Sequence, residues 1–231
     1  AAQTRRRSAT MATMDETGTA RKPRWRGVLH KWAAPFAFGV GTVLVALAPT
    51  RQAAIAGAIY AASLALLLSV SAVYHGYYWT PGPRNWLRRA DHASIFLLIG
   101  GTYTPIAMLA IGGNEGHRLL LAIWSGVTLG VLVSMLWPRA PKFIAAGIAV
   151  AVGWMIVPYI GTLRRVLDAP ELWLIVLGGI AYTVGAVVYA AKRPDPWPRS
   201  FGYHEIFHVL VLLGAALHLA AVLLIVRDVA A

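Results

Sequence analysis

The chain has no cysteine, and it has little charge. Without cysteine no disulfide can staple it and no thiolate can hold a metal, so any transition metal must be bound by His, Asp, Glu or water. Charged residues make up 13% of its 231 positions, about half the share of an ordinary soluble domain. Carboxylates are the scarcer sign: 9 Asp and Glu stand against 21 Lys and Arg, for a formal charge of +12. What fills the space is apolar, at 58% hydrophobic residues. A water-soluble fold cannot hide that much apolar surface, so the class is a polytopic integral membrane protein. The cations are scattered over connecting segments rather than gathered on one aromatic-laced surface. That pattern argues against nucleic acid and for loops that face an anionic membrane leaflet.

Seven segments carry the roughly 20 apolar residues that a helix needs to cross the hydrocarbon core. They run over 33–49, 53–75, 92–111, 118–137, 143–160, 171–191 and 204–226. Breakers and charges separate them, as in Pro81-Gly82-Pro83-Arg84, Gly112-Gly113-Asn114 and Lys192-Arg193-Pro194-Asp195-Pro196. The segments are apolar all round and lack the alternation of barrel strands, so the expected fold is an all-α bundle of seven transmembrane helices. Residues 1–31 are polar and basic without periodicity, which predicts a disordered cytoplasmic tail ahead of a membrane domain at 32–231. Arg5-Arg6-Arg7 is followed by no apolar stretch until residue 33, so a signal peptide is not expected and the first span reads as uncleaved. With the amino terminus in the cytoplasm, inside segments hold 16 of the 21 Lys and Arg and outside segments hold 5. The positive-inside rule therefore predicts a multi-pass protein of the cell membrane with the carboxyl terminus outside.

Ionisable groups at membrane depth are costly, so each is a functional candidate. His75 ends the second span, Asp91 and His92 begin the third, and His204, Glu205 and His208 begin the seventh. Under the predicted topology these positions share one depth, at the cytoplasmic interface. His204 and His208 stand at i and i+4 on one helix face, a spacing that lets two imidazoles reach one zinc ion at about 2.0–2.1 Å. His75 offers a third nitrogen. Three His leave one position open for water, whose pKa zinc lowers toward about 7. Asp91 is placed to orient that water or take its proton, and Ser71, one turn before His75, is placed to hold it. Glu205 points about 100° away from His204 on the helix. His92 is expected to face headgroups. His218 lies about 21 Å further along the helix, too deep for the same site, and is expected to make a packing hydrogen bond.

His204-Glu205-Ile206-Phe207-His208 matches the zinc-protease pattern H-E-x-x-H. A soluble protease of that type needs a third ligand downstream, and the one later histidine, His218, lies inside the membrane. An intramembrane protease pairs the motif with an Asp on a later helix, and here the motif is on the last span. The pattern is therefore read as H-x-x-x-H metal spacing.

The combination resembles the hemolysin III family, the bacterial branch of the progestin and adipoQ receptors. The resemblance rests on Ser71-Ala-Val-Tyr-His75, on Ala90-Asp91-His92-Ala-Ser-Ile-Phe with Gly101-Thr-Tyr-Thr-Pro105, and on His204-Glu-Ile-Phe-His208 with Gly214-Ala-Ala-Leu-His218. Pro23-Arg-Trp-Arg-Gly27 and His30 look like that family's lead-in. It implies seven helices with the amino terminus inside, zinc on His75, His204 and His208, and Asp91 and Ser71 around a bound water. Some relatives resemble ceramidases, so the resemblance implies a zinc-dependent hydrolase of a membrane lipid amide or ester. A receptor or membrane-homeostasis protein with structural zinc is the second reading. A cytolysin or channel is the third, and the near-absence of polar residues in four of the spans weighs against it.

Overall fold

A computed structural model describes residues 22–137 and 140–229. Among the described residues the fold is helical, apart from an isolated bridge between Trp197 and Phe201. The helices are α1 (Val28–Ala46), α2 (Arg51–Gly76), α3 (Pro81–Pro105), α4 (Gly113–Leu136), α5 (Lys142–Gly153), α6 (Ile160–Val166), α7 (Ala169–Ala191) and α8 (Tyr203–Asp228). Seven stretches are long and apolar enough to span a membrane, with α5 and α6 sharing one.

Local chemistry sets the ends. Thr50 caps α2 by accepting the Ala53 amide at 3.1 Å, and Glu171 reaches back to the Asp168 amide at 2.8 Å to open α7. Gly112 and Gly113, at φ of 66° and 51°, make the left-handed turn between the third and fourth spans. Pro105 cannot donate to the helical ladder, and the chain continues past it as a π-helix over Ile106–Ile111. The Thr102 and Thr104 hydroxyls bond to the Leu98 and Gly100 carbonyls at 2.8 Å each. They brace the turns before the proline rather than capping the Gly101 carbonyl that it frees.

The fifth span is not the single helix expected over 143–160. It stops at Gly153, passes through a short 3₁₀ turn at Val157–Tyr159 around Pro158, and resumes as α6. The Tyr103 hydroxyl serves the break, donating to the Gly153 carbonyl at 2.7 Å and accepting the Ile156 amide at 3.1 Å. Within a bilayer those backbone groups have no water to turn to, so α3 supplies their partner.

Neighbouring helices pack in chain order, α1 on α2, α2 on α3, α3 on α4 and α7 on α8. Helix α8 lies between two apolar clusters. Val211, Ala215 and Val222 face α1 and α2, while Ala221 and Ile225 face the side of α3, α4 and α7. Lipid tails are as apolar as leucine, so close approach rather than burial drives this packing. A side chain at Gly101 would strike Ser63 and one at Gly178 His218, while one at Gly100 would crowd Trp124. Gly179 sits in a looser place, with Trp154 3.9 Å from where its Cβ would be.

The boundary expected at residue 31 is corrected. Helix α1 begins at Val28, and residues 22–27 are turns tied to the chain before α8, with the Arg24 and Trp25 amides donating to the Arg199 and Ser200 carbonyls at 3.3 and 3.2 Å. The expectation of a disordered tail over 1–21 lies outside the described residues.

Candidate metal centre

His75 sits in the last turn of α2, and His204 and His208 in the first two turns of α8. All three are buried and bring one ring nitrogen each within 4.8 Å of the others. His204 Nε2 is 3.3 Å from His75 Nε2 and 3.0 Å from His208 Nε2. Three nitrogens at 2.0–2.1 Å from one tetrahedral ion stand about 3.3–3.4 Å apart. The observed spacing is therefore that of a ligand cradle. It is a poor hydrogen-bonding arrangement, since three mutually facing nitrogens cannot all be donor and acceptor in turn. The donor set suits zinc: all nitrogen, no thiolate, with one side open.

Asp91 on α3 lies beside the group, its Oδ2 3.6 Å from His75 Nε2. The separation is too long for a hydrogen bond and puts the carboxylate beside the facing nitrogens. Ser71 is buried on α2 one turn before His75, where the sequence put it. Asp91, His92 and His204 line one end of a cavity of about 170 Å³. At its deep end are Tyr103, Trp154, Tyr182 and His218. His92 thus faces the cavity, with Tyr189 Oη 3.4 Å from its Nε2, and not the headgroups. His218 makes the expected packing bond, to the Ile175 carbonyl at 3.1 Å.

Two parts of the site were not read from the sequence. His30, assigned there to the tail, is in the first turn of α1, 2% exposed and stacked on His208 with centroids 4.1 Å apart and planes 8° from parallel. His30 packs face to face on the His208 ring and stands outside the group of three whose nitrogens converge. The signal was available: a histidine in a polar lead-in, three residues past a glycine that starts a helix.

The second is a strap over the site. Lys22 donates to the His75 carbonyl at 3.3 Å and to the Tyr77 carbonyl at 2.5 Å. Arg26 Nε donates to Glu205 Oε1 at 2.5 Å, and Glu205 Oε2 accepts the Gly202 amide at 2.9 Å. Gly27, at φ 77°, lies so close to His75 that a Cβ there would collide with it. Residues 22–27 therefore join the end of α2 to the start of α8, the two helices that carry the facing histidines. Burial, with the positive charges of Arg84 and Arg26 beside it, holds the Lys22 ammonium below its ordinary pKa.

The comparisons with known proteins agree with this architecture. The model of the family described as "Haemolysin-III related" matches residues 19–219. "Hemolysin-3" of Bacillus cereus is 32% identical over 183 residues, covering 78% of this chain and 80% of its own. "Hemolysin-3 homolog" of Bacillus subtilis (strain 168) is 28% identical over 158 residues, covering 68% and 71%. "Adiponectin receptor protein" of Drosophila melanogaster is 28% identical over 147 residues, 56% of this chain and 33% of its own length. With its seven apolar helices and a family match that takes in the strap and all three facing histidines, the chain belongs to the haemolysin-III related family of multi-pass membrane proteins.

Proposed function

We propose that the protein is a zinc-dependent hydrolase of a membrane lipid amide or ester. The observation that carries this reading is the continuity of two features: the three-histidine cradle with Asp91 beside it, and an apolar cavity running from that point along α8 to His218. In this reading His75, His204 and His208 hold zinc. A bound zinc supplies Lewis acidity, polarising the carbonyl and lowering the pKa of a water. The Asp91 carboxylate takes the proton of the attacking water and returns it to the leaving nitrogen or oxygen, so that acid and amine or alcohol depart in balance. Ser71 orients the water. The cavity wall holds the acyl chain and keeps bulk water from the carbonyl.

Replacing Asp91 by Asn tests it. The purified variant is expected to keep its zinc and to lose about 10²–10⁴-fold in turnover of an N-acyl or acyl-ester lipid that the wild type consumes. Unchanged turnover in Asp91→Asn, or no turnover by wild type across such a panel, removes the hydrolase reading. The second reading, structural zinc in a receptor or homeostasis protein, is favoured by the way the three ligands tie α2 to α8. It expects zinc removal to lower stability while no lipid is consumed. The name of the Bacillus cereus relative raises a cytolytic role, against which stands the lack of a polar path through the spans.

The site is read as facing the cytoplasm, on the strength of the charge asymmetry of the loops. A chain without cysteine reports its own topology cleanly. A membrane-impermeant maleimide applied to intact cells is expected to label Asn114→Cys, and to label Thr80→Cys only after permeabilisation; the reverse pattern inverts the assignment.

A further inference from the structure

Interfacial lysines ordinarily extend their ammonium away from the bundle, toward headgroups and water. Lys142 does not. It opens α5 directly after Pro141 and lines the cavity together with Asp91, His92 and His204. Its Nζ lies 4.3 Å from the centre of the Tyr189 ring and 5.2 Å from that of Tyr203, and donates to Tyr203 Oη at 3.2 Å. Two aromatic faces thus fix its position, but they do not neutralise its charge. Among the described residues no carboxylate lies within ion-pair distance of it. Asp91 is the one carboxylate lining the cavity, and it is turned to His75 at 3.6 Å.

Arg88 is a second cation nearby, though not itself part of the cavity lining. It precedes Asp91 and His92 by three and four residues on α3 and so shares their face. Among the described residues its Nε is buried without a hydrogen-bond partner and no carboxylate lies within ion-pair distance of it. A neutral headgroup at this mouth would leave a positioned ammonium without a counter-ion in a partly dry site, which is costly.

We propose that the mouth of the cavity is a subsite for an oxyanion headgroup, gripped by Lys142 and supported by Arg88, and that the lipid acted on carries a phosphate or carboxylate beyond its scissile bond. The subsite rests on the reading of this cavity as the place of a lipid substrate. It deepens that reading by giving the substrate a charge: the tail lies along α8, the carbonyl meets the three histidines, and the anionic head meets Lys142. Lysine acts here as a point charge held by its aromatic neighbours.

The test is binding, so that it is separate from turnover. Full-length protein in neutral detergent is titrated with dodecyl phosphate, dodecanol and inorganic phosphate, and apparent affinities are read from the shift of the thermal midpoint. Wild type is expected to bind dodecyl phosphate at least tenfold more tightly than dodecanol. Lys142→Gln is expected to abolish that preference while leaving dodecanol affinity unchanged, and Lys142→Arg to retain it. Arg193→Gln, the same charge change on an exposed loop, is expected to do nothing. The preference is expected to survive chelator treatment, which separates Lys142 from the metal as the anion's partner. Equal affinity for the two dodecyl probes overturns the proposal, as does a preference that vanishes with the metal or persists in Lys142→Gln. Inorganic phosphate binding as tightly as dodecyl phosphate also overturns it, since the site would then take a free anion. If no lipid is hydrolysed but the preference holds, the hydrolase reading fails and the subsite stands.

Discussion

Replacing His204 and His208 together by alanine is expected to take the purified protein from about one zinc per chain to none. The expectation follows from geometry. The three facing nitrogens sit 3.0 and 3.3 Å apart across two pairs, a separation that suits a shared ion and satisfies no hydrogen-bonding scheme for all three. With two of them gone, His75 alone remains, and one imidazole does not hold zinc through detergent purification. Elemental analysis reads the result directly. Metal removal has a second readout, because the ligands come from α2 and α8: zinc bound to the folded state at a hundred times its Kd contributes about 2.7 kcal/mol of stability. The thermal midpoint of wild type should fall on chelation, while that of the double variant should not respond. Wild type carefully purified without zinc would remove the metal site and the hydrolase reading together.

Arg26→Ala is expected to give the largest loss of stability of any single surface-side substitution. Glu205 is buried to 1% exposure of its side chain, and among the described residues its one other partner is the Gly202 amide. Removing the guanidinium leaves a buried carboxylate without its counter-charge, a change that costs roughly 3–5 kcal/mol. Arg26 itself keeps some contact with solvent, at 22% exposure, so Glu205→Gln should be milder. That variant removes the buried charge and keeps one acceptor, so its amide oxygen serves Gly202 or Arg26 but not both, the two donors meeting different oxygens of Glu205. Because the strap also runs through Lys22 to the His75 carbonyl, Arg26→Ala should weaken zinc binding by about 10–100-fold, the usual effect of losing an outer partner. Chelator competition measures the affinity and a thermal melt the stability. The exposed pair Arg227–Asp228 serves as the control: its removal should change neither. Zinc affinity unaltered in Arg26→Ala would show that residues 22–27 merely cover the site.

The three histidines that face one another were legible in the sequence because the membrane makes polarity rare. In a chain with 13% charged residues, histidines at i and i+4 and an Asp at a span start stand out, and a topology drawn from loop charges alone brings them to one depth. The seven helices were legible for the same reason, since length and hydropathy are properties of single segments. The break in the fifth span was less so: Pro158 is visible, but what makes the break tolerable is the Tyr103 hydroxyl, some 50 residues away in the chain.

His30 and Arg26 were assigned to a tail because local composition there is polar and basic. Only the folded chain shows Glu205 waiting for Arg26 and the His208 ring offering a face to His30. The direction of the Lys142 side chain was hidden for a related reason. A positive-inside lysine and a cavity-lining lysine look the same in sequence, and it is the rings of Tyr189 and Tyr203, from α7 and α8, that turn this one inward. The sequence by itself determined the class, the spans and which histidines meet. The tertiary structure decided which groups hold those histidines in place and what else faces the same cavity, because such contacts join segments whose partners no local pattern records.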